Sequence, residues 1–491
     1  MARAPRLSKS RYQSGLQCPK RLWLECYRRE LADAIDEATQ AIFAQGHRVG
    51  ELARGRFAGG VLVTEDYTQS AAALRTTAEL LASGAECLYE AAFTYDDVFV
   101  RPDILLRGAD GRYDLIEVKS STGVKPEHLT DAGVQTYVVE GAGLPVARTY
   151  LMHLNTAYVY QGGAYDLNEL FSLVDVTAEV RMYLPAIPDR LREMKTMLAD
   201  DCPECVIGRH CSAPYTCNFI GHCHGFLPDF PVTEIPRISA AVLADLLATG
   251  IYGIHDVPPD YQGLSRAQRT VCHMVQSGEP RFGAGLADVL ASLRYPIRFL
   301  DFETYMPALP LFPGTRPYQV LPMQWSCHTL HADGTREHAD FLHQDLSDPR
   351  PPFVASLLDA LDGDGPIVVY SSYENTRLKA LAEELPQSAA HIQSIRSRLV
   401  DLEKVIKAHV QHPDFHGHTS LKFVLPALVH DLSYDDLAIQ NGGVATLRYE
   451  AAILGDLPEW ERQQIFNDLR AYCAVDTLGL VRVVEELGRR C

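Results

Sequence analysis

Long apolar runs are missing from this sequence of 491 residues. Without a stretch of about 18 uninterrupted apolar residues, we expect no membrane-spanning helix and no membrane partner. The N-terminal segment MARAPR lacks the apolar core of a secretory signal peptide, which favours a cytoplasmic protein. Internal repeats and low-complexity tracts are also absent. No phosphate-binding loop of the form G-x-x-x-x-G-K-S/T occurs, so any helicase that acts with this protein would be a separate chain.

Basic residues are in the minority, with 45 Lys and Arg against 63 Asp and Glu and a formal net charge of −18. This balance argues against a general nucleic-acid coat. The charge is uneven, however, because residues 1–30 contain many Lys and Arg and few acids. A solvated basic arm and a surface that contacts phosphates both explain this excess, and the sequence leaves both open.

The composition is that of a folded protein, with 47% hydrophobic and 22% charged residues. Short strand-like segments alternate with helical segments on both sides of the proline-rich stretch HGFLPDFPVTEIPR, which predicts an α/β protein with a boundary there. We expect a first domain over 1–225, a helical linker over 226–290 and a second α/β domain over 291–491. A helix-hairpin-helix remains an alternative for the linker.

Cysteines are few, 12 in all, which excludes a disulfide scaffold, but they cluster in one segment. The short spacers of this segment contain Pro and Gly, which let a loop fold its thiolates around one soft metal centre. Zinc and a four-iron cluster both take four thiolates, so the residues alone leave both open. The clustered residues are Cys202, Cys205, Cys211, Cys217 and Cys223.

A first group of charged residues falls on two neighbouring strand-like segments. Asp103 belongs to one segment, and Glu117 and Lys119 belong to the next one, across a GADGR turn. Residues two apart on a strand point to the same face, so Glu117 and Lys119 project together. The two carboxylates can hold Mg²⁺ or Mn²⁺, and the lysine can orient a water that attacks a phosphate.

Asp103, Glu117-Val118-Lys119 and Gln135 resemble the PD-(D/E)XK nuclease core of RecB-like enzymes. With Cys18 before this core and the cysteine group after it, residues 5–225 are similar to the iron–sulfur exonucleases of the AddB and CRISPR-adaptation type. The resemblance implies a restriction-endonuclease-like fold, a metal ion at the two acids, and a 4Fe-4S cluster that joins the ends of the domain.

In the families that this segment resembles, one early cysteine and three late ones bind the cluster. This sequence has five late cysteines, so two of them would not be ligands. An aromatic residue after a cysteine is typical of the closing segment of these families, as in Cys217-Asn218-Phe219. We therefore expect four cluster ligands: Cys18, Cys211, Cys217 and Cys223. Cys202 and Cys205 are alternates, because their spacing to Cys211 is also usual in these families.

Two further residues are candidates for the first site. In RecB-like nucleases a histidine in the helix before the core can approach the metal, which makes His47 a candidate. By default, a helix histidine after glycine is an ordinary surface or core residue. Glu90, in the segment CLYEAAF, is either another carboxylate near the ion or a plain strand acid.

A second group of acids lies in the last two fifths of the chain. Asp301 and Glu303 flank Phe302 at the end of an apolar strand, so both carboxylates point to one side. Tyr472 and Asp476 are four apart on a helix and share a face. Together with Glu374, such converging acids would repel one another unless divalent cations bind them, as in two-metal phosphodiesterases.

This order resembles the DEDD family of 3′–5′ exonucleases, in the variant that ends in Tyr-x3-Asp. The resemblance implies an RNase H-like fold, and a water positioned by Tyr472. The family usually has aspartate where Glu374 stands. Asp401 is the competing candidate for this place, and we expect it to be structural.

The two modules, together with the segments SLKFVLPAL and LSYDDLAIQNGG, resemble an uncharacterised bacterial family that pairs a RecB-like nuclease with an RNase H-like module. The resemblance implies a metal-dependent nuclease with two phosphodiesterase sites in DNA repair or defence, with DNA favoured over RNA. An RNA-directed exonuclease whose N-terminal half grips the strand is one alternative. A non-catalytic nucleic-acid-binding scaffold is another, although the complete acid sets argue against it.

Overall fold

The structure is a computed structural model that describes residues 5–490, so Arg3 of the basic N-terminal stretch lies outside it. Two compact units are present: one comprises Met1–Phe226 and Pro307–Gln319, and the other Leu227–Met306 and Val320–Cys491. Both combine helices with mixed sheets, which confirms the predicted α/β class. Within residues 5–490, no helix has the length and apolar character that crossing a membrane requires.

The secondary structure of the first unit alternates short strands with helices. Its strands are β1 (Leu7–Ser8), β2 (Val61–Leu62), β3 (Cys87–Tyr89), β4 (Phe93–Tyr95), β5 (Val98–Val100), β6 (Ile104–Arg107), β7 (Tyr113–Lys119), β8 (Val146–Leu154) and β9 (Phe171–Asp175). Its helices are α1 (Lys9–Gln17), α2 (Pro19–Tyr27), α3 (Glu37–Arg54), α4 (Ser70–Ala82), α5 (Pro126–Gly141), α6 (Leu167–Leu170), α7 (Thr177–Tyr183), α8 (Ile187–Ala199) and α9 (Ile220–His224).

The main sheet of the first unit has the strand order β2-β3-β6-β7-β8-β9. Strand β7 pairs antiparallel with β6 and parallel with β8, and α5 provides the crossover between β7 and β8. Both faces of β7 are largely buried, since Leu115 packs in one apolar cluster and Ile116 in another. Glu117 and Lys119, at the C-terminal end of β7, therefore lie where this strand leaves the apolar core.

The second unit combines helices with a five-stranded sheet and a separate two-stranded sheet of its first and last strands. Its strands are β10 (Arg281–Phe282), β11 (Ile297–Tyr305), β12 (Leu321–Leu330), β13 (Arg336–Leu342), β14 (Ile367–Val369), β15 (Leu399–Asp401) and β16 (Val410–Gln411). Its helices are α10 (Ala240–Ala248), α11 (Arg266–Ser277), α12 (Leu286–Ala291), α13 (Arg350–Ala360), α14 (Tyr373–Glu384), α15 (Ala389–Ser397), α16 (Leu402–His409), α17 (Leu421–Leu428), α18 (Gly442–Leu454) and α19 (Glu459–Arg489). The segment expected as a linker, 226–290, thus falls almost wholly in this unit.

The five-stranded sheet of the second unit has the order β13-β12-β11-β14-β15. The central strand β11 pairs antiparallel with β12 and parallel with β14, and its register shifts between Glu303 and Thr304. Phe299 on β11 packs in one apolar cluster and Phe302 in another, so the strand is held from both faces. Helix α19 crosses β11 and β12 and brings its polar residues to the middle of the sheet.

Candidate functional sites

Three carboxylates of the second unit converge at the middle of its sheet. Asp301 and Glu303 come from β11, and Asp476 comes from α19, which packs against that strand. One carboxylate oxygen of each residue lies within 4.8 Å of those of the other two. In the part of the chain that the structure describes, this is the one such set of three His, Cys, Asp or Glu ligand atoms. We call these three residues the acid triad.

Glu374 lies beside the acid triad, in the first turn of α14, and only 2% of it is exposed. Its Oε2 atom is buried and has no hydrogen-bond partner among the described residues. Asp401 instead caps α16: its side chain accepts a hydrogen bond from the Lys404 backbone N–H at 3.2 Å. Of the two candidates for this place, Glu374 is therefore the one with a free buried oxygen.

The acids of this site share an unfavourable environment for their charges. Burial, together with the charges of Asp476, Glu374 and Glu303, raises the pKa of Asp301 well above its usual range. Burial raises the pKa of Glu303 and of Glu374 to about 8, and that of Asp476 to about 6. A divalent cation would remove this repulsion, because it stabilises the ionised form of each ligand.

The raised pKa values predict how the stability of the metal-free protein depends on pH. Unfolded Asp and Glu titrate near pH 4, so the folded site holds more protons between about pH 4 and 8. The stabilisation is fully present below pH 4; it is lost progressively above that, at about 1.4 kcal/mol per pH unit for each proton, until the pH passes the folded pKa values of about 6 to 8. Glu303→Gln replaces one titrating carboxyl by a neutral amide, so one proton fewer contributes to this pH dependence.

Thermal unfolding in EDTA at several pH values tests this prediction. We expect the melting temperature of the wild type to fall more steeply with rising pH than that of Glu303→Gln. Added Mg²⁺ should stabilise the wild type most at high pH, where metal no longer competes with protons. Identical pH dependence in the two proteins would show that Glu303 has an ordinary carboxyl pKa.

Two tyrosines border the acid triad, although only Tyr472 was predicted. Burial and the nearby charges of Asp476, Glu303 and Asp301 raise the pKa of the Tyr472 hydroxyl. Tyr434 donates a hydrogen bond to Asp476 Oδ1, and its ring centroid lies 6.0 Å from that of Tyr472. Tyr434 therefore orients one metal-ligand candidate, and Tyr472 is buried beside the same carboxylates.

Buried hydrogen bonds fix the helix that carries Asp476. Gln324 on β12 donates to the Leu469 carbonyl at 3.0 Å, and the hydroxyls of Ser326 and Thr477 lie 2.8 Å apart. Thr477 also bonds to the His328 ring at 2.8 Å. Because Thr477 follows Asp476 directly, these contacts set the position of the carboxylate relative to β11.

In the first unit, the predicted residues of the nuclease core meet around Glu117. This side chain is 1% exposed; its Oε1 accepts from Lys119 Nζ at 2.7 Å and its Oε2 from Gln135 Nε2 at 2.6 Å. Asp103 lies at the bend before β6 and accepts from the Val118 backbone N–H at 2.6 Å. Burial and the charge of Glu117 raise the pKa of Asp103 to about 8.

Two residues that sequence analysis missed complete this group. Lys9 Nζ lies 2.7 Å from Glu117 Oε1 and 3.7 Å from Asp131 Oδ2, and Lys119 also donates to Asp131. Burial opposes ionisation of Glu117, but the charges of Lys119 and Lys9 hold its pKa below its usual range. Asp131 precedes Gln135 by one helical turn on α5, a spacing that could have indicated it.

His47 and Glu90 occupy different surroundings. His47 is exposed on α3, and no hydrogen bond connects it to Glu117 or Asp103 among the described residues. Glu90 has a left-handed backbone with φ of 56°, and its carboxylate pairs with Arg54 at 3.0 Å and Arg101 at 3.5 Å. Its charge also contributes to the raised pKa of Asp103, so Glu90 lies near the first site. A role for His47 remains a prediction.

Five cysteines of the first unit line one pocket. Burial and the neighbouring Cys205 raise the pKa of the Cys18 thiol to about 11. Cys202 does not line this pocket, but it packs in the adjoining apolar cluster with Phe219. The four preferred ligands and one alternate thus surround the same space. The cysteines that line it are Cys18, Cys205, Cys211, Cys217 and Cys223.

Comparisons with known proteins show similarity over only part of the chain. No curated protein is found to match this chain. A solved structure titled "Crystal structure of SSO0001" is similar at 14% sequence identity over 40% of this chain and 77% of that chain, with a TM-score of 0.21. Residues 298–420, which include Asp301, Glu303 and Glu374, match the family model described as "Domain of unknown function (DUF2779)".

Proposed function

We propose that this protein is a metal-dependent nuclease and that its second unit is an RNase H-like 3′–5′ exonuclease. The observation that carries this proposal is the acid triad, with Glu374 beside it, at the centre of a mixed five-stranded sheet. Buried carboxylates that repel one another destabilise the fold. A divalent cation that binds them removes the repulsion and can then act on a phosphodiester.

The residues of the second site fit Mg²⁺ or Mn²⁺. Carboxylate oxygens are the ligands these cations prefer, and the unpartnered Glu374 Oε2 is a further acceptor. Bound cations would stabilise the attacking and leaving oxygens of a phosphodiester. The protein's own contribution is to hold Asp476 through Tyr434, and to present the Tyr472 hydroxyl to the attacking water.

For the first unit we propose a second phosphodiesterase site of the RecB-like PD-(D/E)XK type. Asp103 and Glu117 would hold Mg²⁺ or Mn²⁺, and Lys119 would orient the nucleophile. Five thiols line one pocket, although no three of their sulfur atoms, among the described residues, lie within 4.8 Å of one another as ligands of a single ion would. Because the iron ions of a cluster hold their thiolates further apart than one zinc ion does, we propose a 4Fe-4S cluster, with zinc as the alternative. Reduced thiols persist in the cytoplasm, which is the compartment we propose.

DNA is the substrate we favour, with RNA as the alternative, and a separate helicase or defence-system protein is a candidate partner. The test uses 5′-labelled single- and double-stranded DNA and RNA, each with Mg²⁺, Mn²⁺ or EDTA. We expect a ladder of products shortened from the 3′ end, dependent on the cation and strongest on DNA. Equal binding of all four substrates without any cleavage would support the non-catalytic scaffold instead.

Lys119→Ala tests the first site separately from the second. The side chain is 22% exposed, and Lys9 and Gln135 still pair with Glu117 after its removal, so the domain should fold. In a protein whose second site is disabled by Asp301→Asn, we expect cation-dependent cleavage to fall about a hundred-fold or more.

The matched control for Lys119→Ala is Lys195→Ala, which removes another ion-paired lysine of the first unit. We expect this control to cleave like its parent, the Asp301→Asn protein. Cleavage by the Lys119→Ala protein at the parent rate would contradict a catalytic role for Lys119.

A further inference from the structure

A second lysine shares the carboxylate on which Lys119 acts. Lys9 Nζ and Lys119 Nζ each lie 2.7 Å from the same atom, Glu117 Oε1. The two ammonium groups also face Asp131 together. Two ammonium groups repel each other at this distance unless nearby anions offset the repulsion. Here the anions are carboxylates of the proposed nuclease site.

Helix α1 fixes Lys9 in this position from both ends. Ser8 begins the helix by accepting a hydrogen bond from the Arg11 backbone N–H at 3.2 Å, directly before Lys9. In the middle, Gln13 accepts from Thr130 on α5 at 3.0 Å. At the other end, Gln17 donates to the Tyr215 carbonyl in the cysteine segment at 2.7 Å. Lys9 is therefore held by the fold and is not a freely moving part of a basic arm.

Lys9 and Lys119 border an open cavity of about 280 Å³. Their side chains are 26% and 22% exposed, so both ammonium groups can be reached from this space. The wall near Lys9 is polar and includes Ser10, Gln13 and Gln17. A ligand that carries oxygen acceptors would find donors on both sides of this cavity.

The charge of the five groups around Glu117 favours a singly charged anion once a cation is bound; Glu127 also lines the cavity, and Arg21 and Glu25 there pair with each other. The three carboxylates of Asp103, Glu117 and Asp131 outnumber the ammonium groups of Lys9 and Lys119 by one. One divalent cation changes this formal surplus into one positive charge, which matches the single negative charge of a phosphodiester. Without Lys9, the same group with its cation would be neutral.

We propose that Lys9 is a phosphate-contacting residue of the first site, which binds a strand phosphate beside Lys119. This inference rests on the proposed nuclease function of the first unit. In this proposal, one lysine of the basic N-terminal stretch contacts a phosphate at a defined place, whereas a diffuse basic surface would attract nucleic acid without a fixed contact.

The first experiment measures binding of a fluorescein-labelled single-stranded DNA to the full chain, with Ca²⁺ in place of Mg²⁺, at several NaCl concentrations. Each phosphate contact contributes about 0.7 to the slope of log K against log salt. We expect Lys9→Gln to lower this slope by about 0.7 and Lys9→Arg to keep it. The charge-matched control is Arg11→Gln on the same helix, which should keep the slope.

The second experiment needs no variant and covers the case in which Lys9→Gln fails to fold. Acetylation of lysines in the wild type is followed by mass spectrometry, with and without the same DNA. We expect bound DNA to protect Lys9 several-fold and to leave Lys195 unchanged. Lys195 is the matched control, because it is also 26% exposed and ion-paired, with Asp96.

The possible outcomes separate this inference from the proposed function. No DNA binding by the wild type would overturn the proposed DNA nuclease function of the first unit, on which this inference rests. Binding with an unchanged slope in Lys9→Gln and no protection of Lys9 would overturn only the role of Lys9. Equal losses of slope in Lys9→Gln and Arg11→Gln would also overturn it, since they would indicate a diffuse basic surface.

Discussion

Asp301→Asn should reduce trimming of DNA from the 3′ end about a thousand-fold, since loss of a metal ligand removes about 4 kcal/mol of transition-state stabilisation. Asp476→Asn should have the same effect, because both residues contribute an oxygen to the acid triad. Each substitution also removes one of the mutually repelling carboxylates, so the metal-free variants should melt above the wild type. The measurement is a time course on 5′-labelled DNA in a Lys119→Ala background.

Asp401→Asn is the control for this prediction. Asp401 caps α16, and Asn is also a good helix cap, so trimming and stability should both stay close to the parent values. Glu374→Gln should behave like the triad variants if Glu374 is the fourth acid of the site. Trimming that continues unchanged in Asp301→Asn and Asp476→Asn would make the second unit a binding module.

Removing a cluster ligand should unfold the first unit while the second unit remains folded. Cys18 lies about two hundred residues before its proposed partners, and a metal centre that joins them closes a long loop. The binding free energy of such a centre becomes folding free energy, about 10 kcal/mol or more for structural zinc. We expect Cys18→Ala to give rapid proteolysis within the first unit and a protected second unit. Protein purified without oxygen should be brown.

Two controls decide which thiols matter. Cys26→Ala removes a half-buried cysteine of α2 that does not line the pocket, and it should keep iron and protease resistance. Iron retained in Cys217→Ala but lost in Cys202→Ala would replace our ligand choice by Cys202, Cys205 and Cys211 with Cys18. A colourless protein with one zinc per chain would replace the cluster by a structural zinc site.

The sequence predicted best the features that follow from short-range periodicity. Glu117 and Lys119 lie two apart on β7, and Asp301 and Glu303 lie two apart on β11, as the alternation of strand residues requires. The α/β class follows from the same alternation of strand and helix patterns. Asp103 was placed less well, because it sits at a bend before β6 and bonds to the β7 backbone.

Contacts across long stretches of chain could not be predicted. Lys9 and Glu117 are 108 residues apart, and Tyr434 and Asp476 are 42 apart, and no local pattern marks either pair. Packing of α1 against α2 and α5, and of α19 against β11 and β12, brings these residues together. Pro307–Gln319 belongs to the first unit although the predicted boundary placed it in the second domain. There Tyr318 donates to the Ser120 carbonyl at 2.8 Å, a contact without any sequence signal.

Binding of Mn²⁺, measured by calorimetry, decides whether the acid triad is a metal site. The titration uses Glu117→Gln, in which the first site is disabled, and compares it with the same protein carrying Asp301→Asn. We expect Mn²⁺ binding in Glu117→Gln with proton release near neutral pH, seen as a heat that depends on the buffer, and loss of both when Asp301→Asn is added. Mn²⁺ binding of equal affinity and stoichiometry in the two proteins would show that the acid triad is not a metal site.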